Sequence, residues 1–278
     1  MKQYTSLYFV GAGGIGMSAL VRYFLAKGYK VAGYDRTQSP LTTELKTEGL
    51  EIVYEESVES IPDYCRNPET TLVVYTPAIP ASHAGLVYFR EHGFRVVKRA
   101  ELLGLITQSS RGLCFAGTHG KTTTSSMAAH IFHESPIGCN AFLGGILRNY
   151  NSNLILSEQS PFTVIEADEY DRSFHWLHPY MAVVTATDPD HLDIYGTEEA
   201  YLESFAHFTS LIQPGGCLIM KKGIRLVPNV KEGVKIYTYS ARDGGDFHAG
   251  NIRIGDGTIV FDFVTPEGVF ADIELGVP

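Results

Sequence analysis

Short apolar runs alternate with helix-like stretches along the first two thirds of the chain. The stretches at residues 17–27 and 125–132 predict helices, and the first of them ends just before Gly28, a residue suited to a helix C-terminus. Strands that alternate with helices indicate parallel α/β sheets. The apolar runs that predict buried strands are residues 6–10, 29–34, 71–75, 94–97, 113–116, 162–165 and 181–185.

The pattern changes near residue 235, where short alternating runs and glycine-rich turns take over. Residues 252–254 and 258–264 predict strands of a small antiparallel sheet. A polar, irregular segment at 108–112 marks the predicted domain boundary. We therefore expect a Rossmann-like parallel-sheet domain over residues 1–108. A P-loop-type α/β domain with an appended antiparallel sheet is expected over residues 109–278.

The first predicted strand is followed by Gly-Ala-Gly-Gly-Ile-Gly at residues 11–16, and the second strand ends in Asp35. This spacing is typical of dinucleotide-binding proteins, in which the acid binds a ribose hydroxyl. The underlying physics is less selective, because close backbone approach and a helix N-terminus bind any diphosphate. An NAD(P) cofactor and a nucleotide-sugar diphosphate both remain open, as does a purely structural glycine turn.

A second glycine loop, Gly117-Thr118-His119-Gly120-Lys121-Thr122-Thr123, lies between the strand at 113–116 and the next helix. Loop amides bind anionic oxygens, the lysine supplies a positive charge, and a threonine hydroxyl is a ligand for Mg²⁺. Phe115 stands where the full P-loop pattern has its first glycine, so the loop is a shortened variant. It predicts an ATP site.

Polar residues follow the ends of two other strands in the same domain. Glu166 ends one strand, as the Mg²⁺-binding carboxylate does in P-loop proteins, and His191 follows another. Asp190 and Asp193 flank the histidine, and we expect them to orient it or to cap the next helix. A structural histidine at a strand end is the alternative for His191. The predicted Mg²⁺ ligands are Thr122, Glu166 and His191.

The formal net charge of −9 argues against a nucleic acid or an anionic membrane as the main partner. The four cysteines are scattered without metal-ligand spacing, and no segment has the length of a membrane span. We expect reduced thiols, no signal peptide, no membrane insertion and a cytoplasmic location. A charge run follows Glu166, at Asp168, Glu169, Asp171 and Arg172, and a solvated loop is as good an interpretation of it as a functional one.

Four motifs in order resemble the Mur ligase family, most closely its alanine-adding branch. The motifs are GAGGIGMSAL at 11–20, GTHGKTTT at 117–124, EADEYDRSF at 166–174 and DHLDIYG at 190–196, and weaker matches are TPAIP at 76–80, RAELL at 99–103 and LGGIL at 143–147. The resemblance implies a domain that binds UDP-N-acetylmuramate, a central ATP-binding domain, and a third domain that this chain lacks. The reaction it implies is ATP-dependent addition of L-alanine to the muramoyl carboxylate through an acyl phosphate.

The resemblance also implies roles for residues at the matching positions. Lys121, Glu166 and His191 would be catalytic. Residues Gly117, Thr118, His119, Gly120, Lys121, Thr122 and Thr123 would bind ATP. Residues Gly11, Gly13, Gly14, Ile15, Gly16, Asp35, Thr76 and Arg99 would bind the UDP-sugar.

Two positions depart from the family pattern. Ala186 stands where asparagine is common, and Phe205 stands where sister ligases carry a carbamylated lysine. The second departure favours the alanine-adding branch. Without its third domain, we expect the chain to be inactive alone. A peptidoglycan-recycling ligase that adds a tripeptide, an NAD(P)-dependent oxidoreductase and a nucleotide-sensing module are the alternatives.

Overall fold

The computed structural model describes residues 3–241, 244–255 and 257–276. The chain divides into two compact units, each built from two segments. The first unit contains Met1–Arg111 and Thr122–Glu166, and the second contains Gly112–Lys121 and Ala167–Pro278. The predicted domain boundary at residues 108 and 109 stays a prediction, since this division follows packing contacts rather than chain order.

A five-stranded parallel sheet with the order β3-β2-β1-β4-β5 forms the centre of the first unit. This order, with the first strand in the middle, is that of the Rossmann fold, as the sequence predicted. The strands are β1 (Ser6–Val10), β2 (Lys30–Tyr34), β3 (Glu51–Val53), β4 (Thr71–Tyr75) and β5 (Arg95–Lys98).

Four helices connect or follow these strands: α1 (Ile15–Ala26), α2 (Pro40–Thr47), α3 (Ala84–Glu91) and α4 (Arg99–Gln108). Helix α1 begins two residues before its predicted start and ends before Gly28, whose φ is +81°. Strand β1 is buried along its whole length. Its Tyr8 and Val10 pack in one cluster with Leu86 and Phe89 of α3, so apolar packing on that face fixes the sheet.

The first unit also contains β7 (Asn140–Leu147), β8 (Ser152–Ile155) and β9 (Phe162–Glu166), together with α5 (Lys121–Glu134) from Thr122 onward. Strand β7 pairs with β8 in antiparallel fashion and with β9 in parallel. Strands β7 and β8 pack on α1. Asn153 of β8 donates a hydrogen bond to the Ile15 carbonyl over 2.8 Å, which ties β8 to the start of that helix.

The second unit carries a larger, mixed sheet with strands in the order β6-β10-β11-β12-β13-β14-β15. Two helices belong to this unit, α6 (Leu192–Tyr195) and α7 (Glu198–Ser210), together with a 3₁₀ segment, Tyr170–Trp176. The strands are β6 (Arg111–Ala116), β10 (Pro179–Val184), β11 (Cys217–Lys221), β12 (Lys235–Ser240), β13 (Phe247–Gly255), β14 (Thr258–Thr265) and β15 (Gly268–Leu275).

The antiparallel part of this sheet begins later than the sequence indicated. Strand β12 pairs in parallel with β11, and only β13, β14 and β15 are joined by antiparallel pairing. The connection from β11 to β12 crosses over residues 222–234, long enough to return the chain in the same direction. Among the described residues, no helix combines the length and apolar character needed to cross a bilayer.

Candidate functional site

Residues 117–121 of the second glycine loop, which we call the phosphate loop after its predicted ligand, join β6 to α5 in a backbone conformation that requires glycine. Gly117 and Gly120 have φ values of +134° and +83°, in the region that favours glycine. A Cβ atom at Gly117 would also lie 2.8 Å from the amide nitrogen of Ala186. The loop can therefore pass close to the end of β10 only because this position lacks a side chain.

Hydroxyl groups from the end of β10 and from α7 anchor the loop. The Thr185 hydroxyl lies within hydrogen-bond distance of the carbonyls of Ala116 and His119. Thr118 donates from its hydroxyl to the Asp188 carbonyl over 2.7 Å, and that hydroxyl also hydrogen-bonds the Tyr201 hydroxyl over 3.0 Å. The loop is thus ordered by its own protein contacts, before any ligand is considered.

Ala186, where the sequence departs from the family pattern, contacts the phosphate loop through its main chain. The Ala186 carbonyl accepts a hydrogen bond from the Thr118 amide over 3.1 Å. The second departure, Phe205, is fully buried and packs edge-on against Phe174 at 5.2 Å between ring centroids. An ionic side chain at position 205 would lie in this aromatic cluster, so the phenylalanine belongs to the core.

Lys121 is held by two oxygens of its own unit. Its ammonium donates to the Gly117 carbonyl over 2.8 Å and to Glu169 Oε1 over 2.8 Å. Glu169 is 1 % exposed, and its Oε2 makes no hydrogen bond within the described part of the chain. Burial raises the pKa of the Glu169 carboxyl, and the hydrogen bond from Lys121 opposes that rise.

Glu169 is a residue that the sequence did not single out. It lies in a charge run whose other members, Asp168, Asp171 and Arg172, are exposed. For Glu169 the interpretation as a solvated loop is wrong, because its side chain turns inward to the phosphate-loop lysine. Two sequence signals pointed to this segment without singling out Glu169: the position of the run directly after a strand end, and its place within the EADEYDRSF motif.

Glu166 and Thr122 place two oxygen ligands side by side in the first unit. The Thr122 hydroxyl donates to Glu166 Oε1 over 3.0 Å, and the Gly144 amide donates to Glu166 Oε2 over 3.0 Å. A Cβ atom at Gly144 would lie 2.6 Å from both carboxylate oxygens. A hydroxyl and a carboxylate are the hard oxygen donors that Mg²⁺ prefers, so this pair fits the predicted ion.

His191 adopts a left-handed backbone conformation, with φ +53° and ψ +37°, at the start of α6. Its amide donates to Asp190 Oδ1 over 2.8 Å, and its ring packs edge-on against Tyr170 at 5.2 Å. A non-glycine residue in this region is strained, and such residues cluster at functional sites. Among the described residues, no group of three or more His, Cys, Asp and Glu side chains has metal-binding geometry.

The N-terminal glycine loop borders a cavity of about 530 Å³ in the first unit. This volume is within the range of small-molecule sites. All of the eight predicted UDP-sugar residues except Gly13 line this cavity. Thr123, which belongs to the predicted ATP set, does not line the cavity and lies exposed in the first turn of α5. The lining residues are Gly11, Gly14, Ile15, Gly16, Met17, Asp35, Arg36, Thr76, Ala78, Ile79, Arg99, Leu143 and Gly144.

Two features of this cavity were not expected from the sequence. Gly144 borders the cavity and also donates to Glu166, so it joins the cavity wall to the oxygen pair of Glu166 and Thr122. Arg99 lies so close to Gly16 that a Cβ atom there would approach its Nε to 2.5 Å. The LGGIL motif was the sequence signal for Gly144, but only the fold places it beside the carboxylate.

The Rossmann-like sheet of the first unit and the phosphate-loop sheet of the second define an α/β protein of the nucleotide-binding type. Residues 6–111 match the family model described as "Mur ligase family, catalytic domain", and residues 115–278 match "Mur ligase middle domain". The chain belongs to the Mur ligase family.

A relative from Parabacteroides distasonis, named UDP-N-acetylmuramate–L-alanine ligase, is 67% identical over 278 residues, which is 100% of this chain and 60% of the relative. The chain thus spans about 60% of the length of such curated relatives.

Solved structures share the fold. The UDP-N-acetylmuramate:L-alanyl-gamma-D-glutamyl-meso-diaminopimelate ligase from Neisseria meningitides has a TM-score of 0.81 at 20% identity, covering 99% of this chain and 88% of that one. The UDP-N-acetylmuramate-alanine ligase from Thermotoga maritima has a TM-score of 0.78 at 23% identity, covering 98% and 61%. Because both sequence identities are below 25%, these similarities show the fold alone.

Proposed function

We propose that this chain is the UDP-sugar-binding and ATP-binding part of a ligase that joins L-alanine to the carboxylate of UDP-N-acetylmuramate. The observation that carries the proposal is the position of Gly144. It borders the glycine-loop cavity and holds the carboxylate of Glu166, so a substrate in that cavity would lie next to the oxygen pair. The name of the 67% identical relative supports the same reaction.

In this proposal the first glycine loop, with Thr76 and Arg99, binds the diphosphate and sugar of UDP-N-acetylmuramate. Residues 117–123 bind ATP, and the Lys121 ammonium neutralises the β- and γ-phosphates. Mg²⁺, when bound, neutralises charge on the transferring phosphoryl group. Thr122, Glu166 and His191 are the residues assigned to hold it. The muramoyl carboxylate attacks the γ-phosphorus of ATP and displaces ADP, which gives an acyl phosphate. The alanine amine then attacks the acyl carbonyl, displaces phosphate and loses a proton to form the amide.

In this proposal, residues 1–108 form the domain that binds the UDP-sugar, and residues 109–278 form the domain that binds ATP. Amide formation would require a further region such as the longer relatives have, so we expect the 278-residue chain to be inactive alone. Because the proposed reaction uses ATP and a nucleotide-linked precursor, we expect the protein to be cytoplasmic. Neither a nucleic acid nor a membrane is a partner in this proposal.

Calorimetric titration of the 278-residue chain with UDP-N-acetylmuramate, with NADPH in parallel, tests the proposal. We expect saturable binding of the UDP-sugar and none of the nicotinamide cofactor. Binding of NADPH alone would favour an oxidoreductase. Turnover of a full-length form with a tripeptide and not with L-alanine would favour the recycling ligase.

A further inference from the structure

We propose that Asp35 is a positioning residue that fixes the shape of the N-terminal glycine loop, and that it is not the group that binds the ribose of the nucleotide. The inference rests on the proposed function, because it takes the cavity beside this loop to hold a nucleoside diphosphate. It changes the role that the dinucleotide-type spacing of Asp35 predicted.

The amides at the start of the loop are already used within the protein. Those of Gly11 and Ala12 both donate to the Tyr34 carbonyl, over 2.8 and 3.0 Å. The next amide, that of Gly13, donates to Asp35 Oδ2 over 2.7 Å. Three successive N–H groups therefore point toward the end of β2. The Met17 amide donates to the Gly14 carbonyl over 2.9 Å, so in the first turn of α1 the amides of Ile15 and Gly16 are the ones left for a diphosphate.

Asp35 uses its second carboxylate oxygen on the protein as well. Its Oδ1 accepts a hydrogen bond from the Thr37 amide over 3.1 Å. The carboxylate thus joins the glycine loop to the turn that follows β2. Hydrogen bonds to an ionised acceptor are stronger than neutral ones, so this side chain contributes more to the loop shape than one neutral bond would.

Helix α2 closes the loop from the other side. A Cβ atom at Gly13 would lie 2.6 Å from Thr42 Cγ2 and 2.9 Å from Asp35 Oδ2. Thr42 is itself fixed, because it forms a capping box with Ser39 and accepts a hydrogen bond from the Tyr54 hydroxyl over 3.0 Å. Gly13 is therefore held between the carboxylate and the helix, which explains why it is the one predicted glycine that does not border the cavity.

A carboxylate has about four acceptor positions, so two protein hydrogen bonds alone leave room for a ribose hydroxyl. A ligand that lacks this hydroxyl distinguishes a residue that positions the loop from one that binds the ribose. The experiment is calorimetric titration of the 278-residue chain with UDP and with 2′-deoxy-UDP. It is carried out on the parent chain and on Asp35→Ala, Asp35→Asn and Asp35→Ser.

For a positioning residue we expect Asp35→Ala to weaken both ligands by the same factor, about tenfold, the effect of losing a charged hydrogen bond. The ratio of UDP to 2′-deoxy-UDP affinity stays that of the parent chain. Asp35→Asn retains an oxygen for the Gly13 amide, so we expect it to stay within about threefold of the parent. Gly13→Ala, which displaces the same contact by adding a methyl group, is expected to weaken both ligands as Asp35→Ala does.

The result that would overturn the inference is a clear preference of the parent chain for UDP that disappears in Asp35→Ala or Asp35→Ser. Thermal melting identifies any variant that is unfolded. If Asp35→Ala is unfolded, the same comparison of ligands is made with Asp35→Ser. Failure of the proposed function looks different: the parent chain would then bind neither ligand, and the inference would fall with it.

Discussion

The two glycine loops of this chain follow the same local plan and are stabilised in different ways. Each follows a buried strand and leads into a helix. The first loop is shaped by backbone amides that donate to Tyr34 and Asp35. The phosphate loop is shaped by side-chain hydroxyls around it, and it carries Lys121, which the first loop lacks. A glycine pattern therefore indicates close backbone approach, while the residues around it decide which charge the loop accepts.

The largest expected difference between the loops concerns Lys121. We expect Lys121→Ala to weaken ATP binding by about a hundredfold, because it removes the lysine ammonium that the phosphate loop supplies. UDP-N-acetylmuramate binding should change by less than about twofold, since the other loop does not use this lysine. Calorimetric titration with each ligand measures both effects, and in a full-length form turnover should be lost.

Two variants control for the Lys121 result. Lys27→Ala removes an exposed lysine elsewhere and should leave ATP binding unchanged. The double variant Lys121→Ala, Glu169→Gln removes the carboxylate that the single variant leaves buried without its partner. Equal losses of both ligands in a folded protein would contradict separate roles for the two loops.

Gly144 offers a test of the link between the cavity and the oxygen pair. We expect Gly144→Ala to raise the Mg²⁺ concentration needed for ATP binding by about tenfold, because the added methyl group must displace Glu166. The matched control is Gly145→Ala, whose Cβ would make an ordinary contact of 3.4 Å with Thr122 Cγ2. A Mg²⁺ titration of Gly144→Ala that matches that of the parent chain would show that the carboxylate does not hold the ion.

The Lys121–Glu169 pair predicts a pH dependence of stability. Because the pKa of Glu169 is raised in the folded protein, the folded state holds a proton over a pH range in which the unfolded state has lost it. That contribution to stability is fully present below the unfolded pKa and is lost as pH rises through the folded pKa. Denaturant unfolding at a series of pH values should show this decline in the parent chain and a smaller one in Glu169→Gln. Parallel curves would argue against a raised pKa.

The smallest effect is expected at Tyr201, whose hydroxyl supports the phosphate loop through Thr118. We expect Tyr201→Phe to cost about 1 kcal/mol of stability, the net value of one buried hydrogen bond, and to weaken ATP binding about threefold. Urea unfolding and ATP titration measure the two quantities. Tyr239→Phe on β12 is the control, and an equal loss of ATP affinity in that variant would show that the effect does not pass through the loop.

Local patterns predicted the strands and helices that carry both loops. Apolar runs located β1, β2 and β4, and glycine marked the end of α1, because these features depend on neighbouring residues in the chain. Helix α5 begins four residues before its predicted start, at Lys121. Its threonine-rich first turn has no apolar periodicity to indicate a helix.

The parts of the site that sequence reasoning missed depend on contacts distant in the chain. Glu169 looks like one acid in a charged loop until the fold brings it to Lys121. Gly144 looks like a turn residue until β7 and β9 pair and bring its amide to Glu166. Strand β12 was predicted as part of the antiparallel tail, but it pairs in parallel with β11. Its direction is set by the crossover connection from β11, which the residues of β12 themselves do not indicate.

The hold of Gly144 on Glu166 has a consequence for how such a site is mapped. The contact is made by a main-chain N–H group, so truncating side chains one at a time across the protein removes nothing from it. At this position alanine is an addition, and the atom added lies where the carboxylate does. A conventional alanine scan would therefore register Gly144 as a steric defect and would leave the donor itself undetected. Replacing the amide by an ester, which deletes the N–H and keeps the shape, would measure that donor directly.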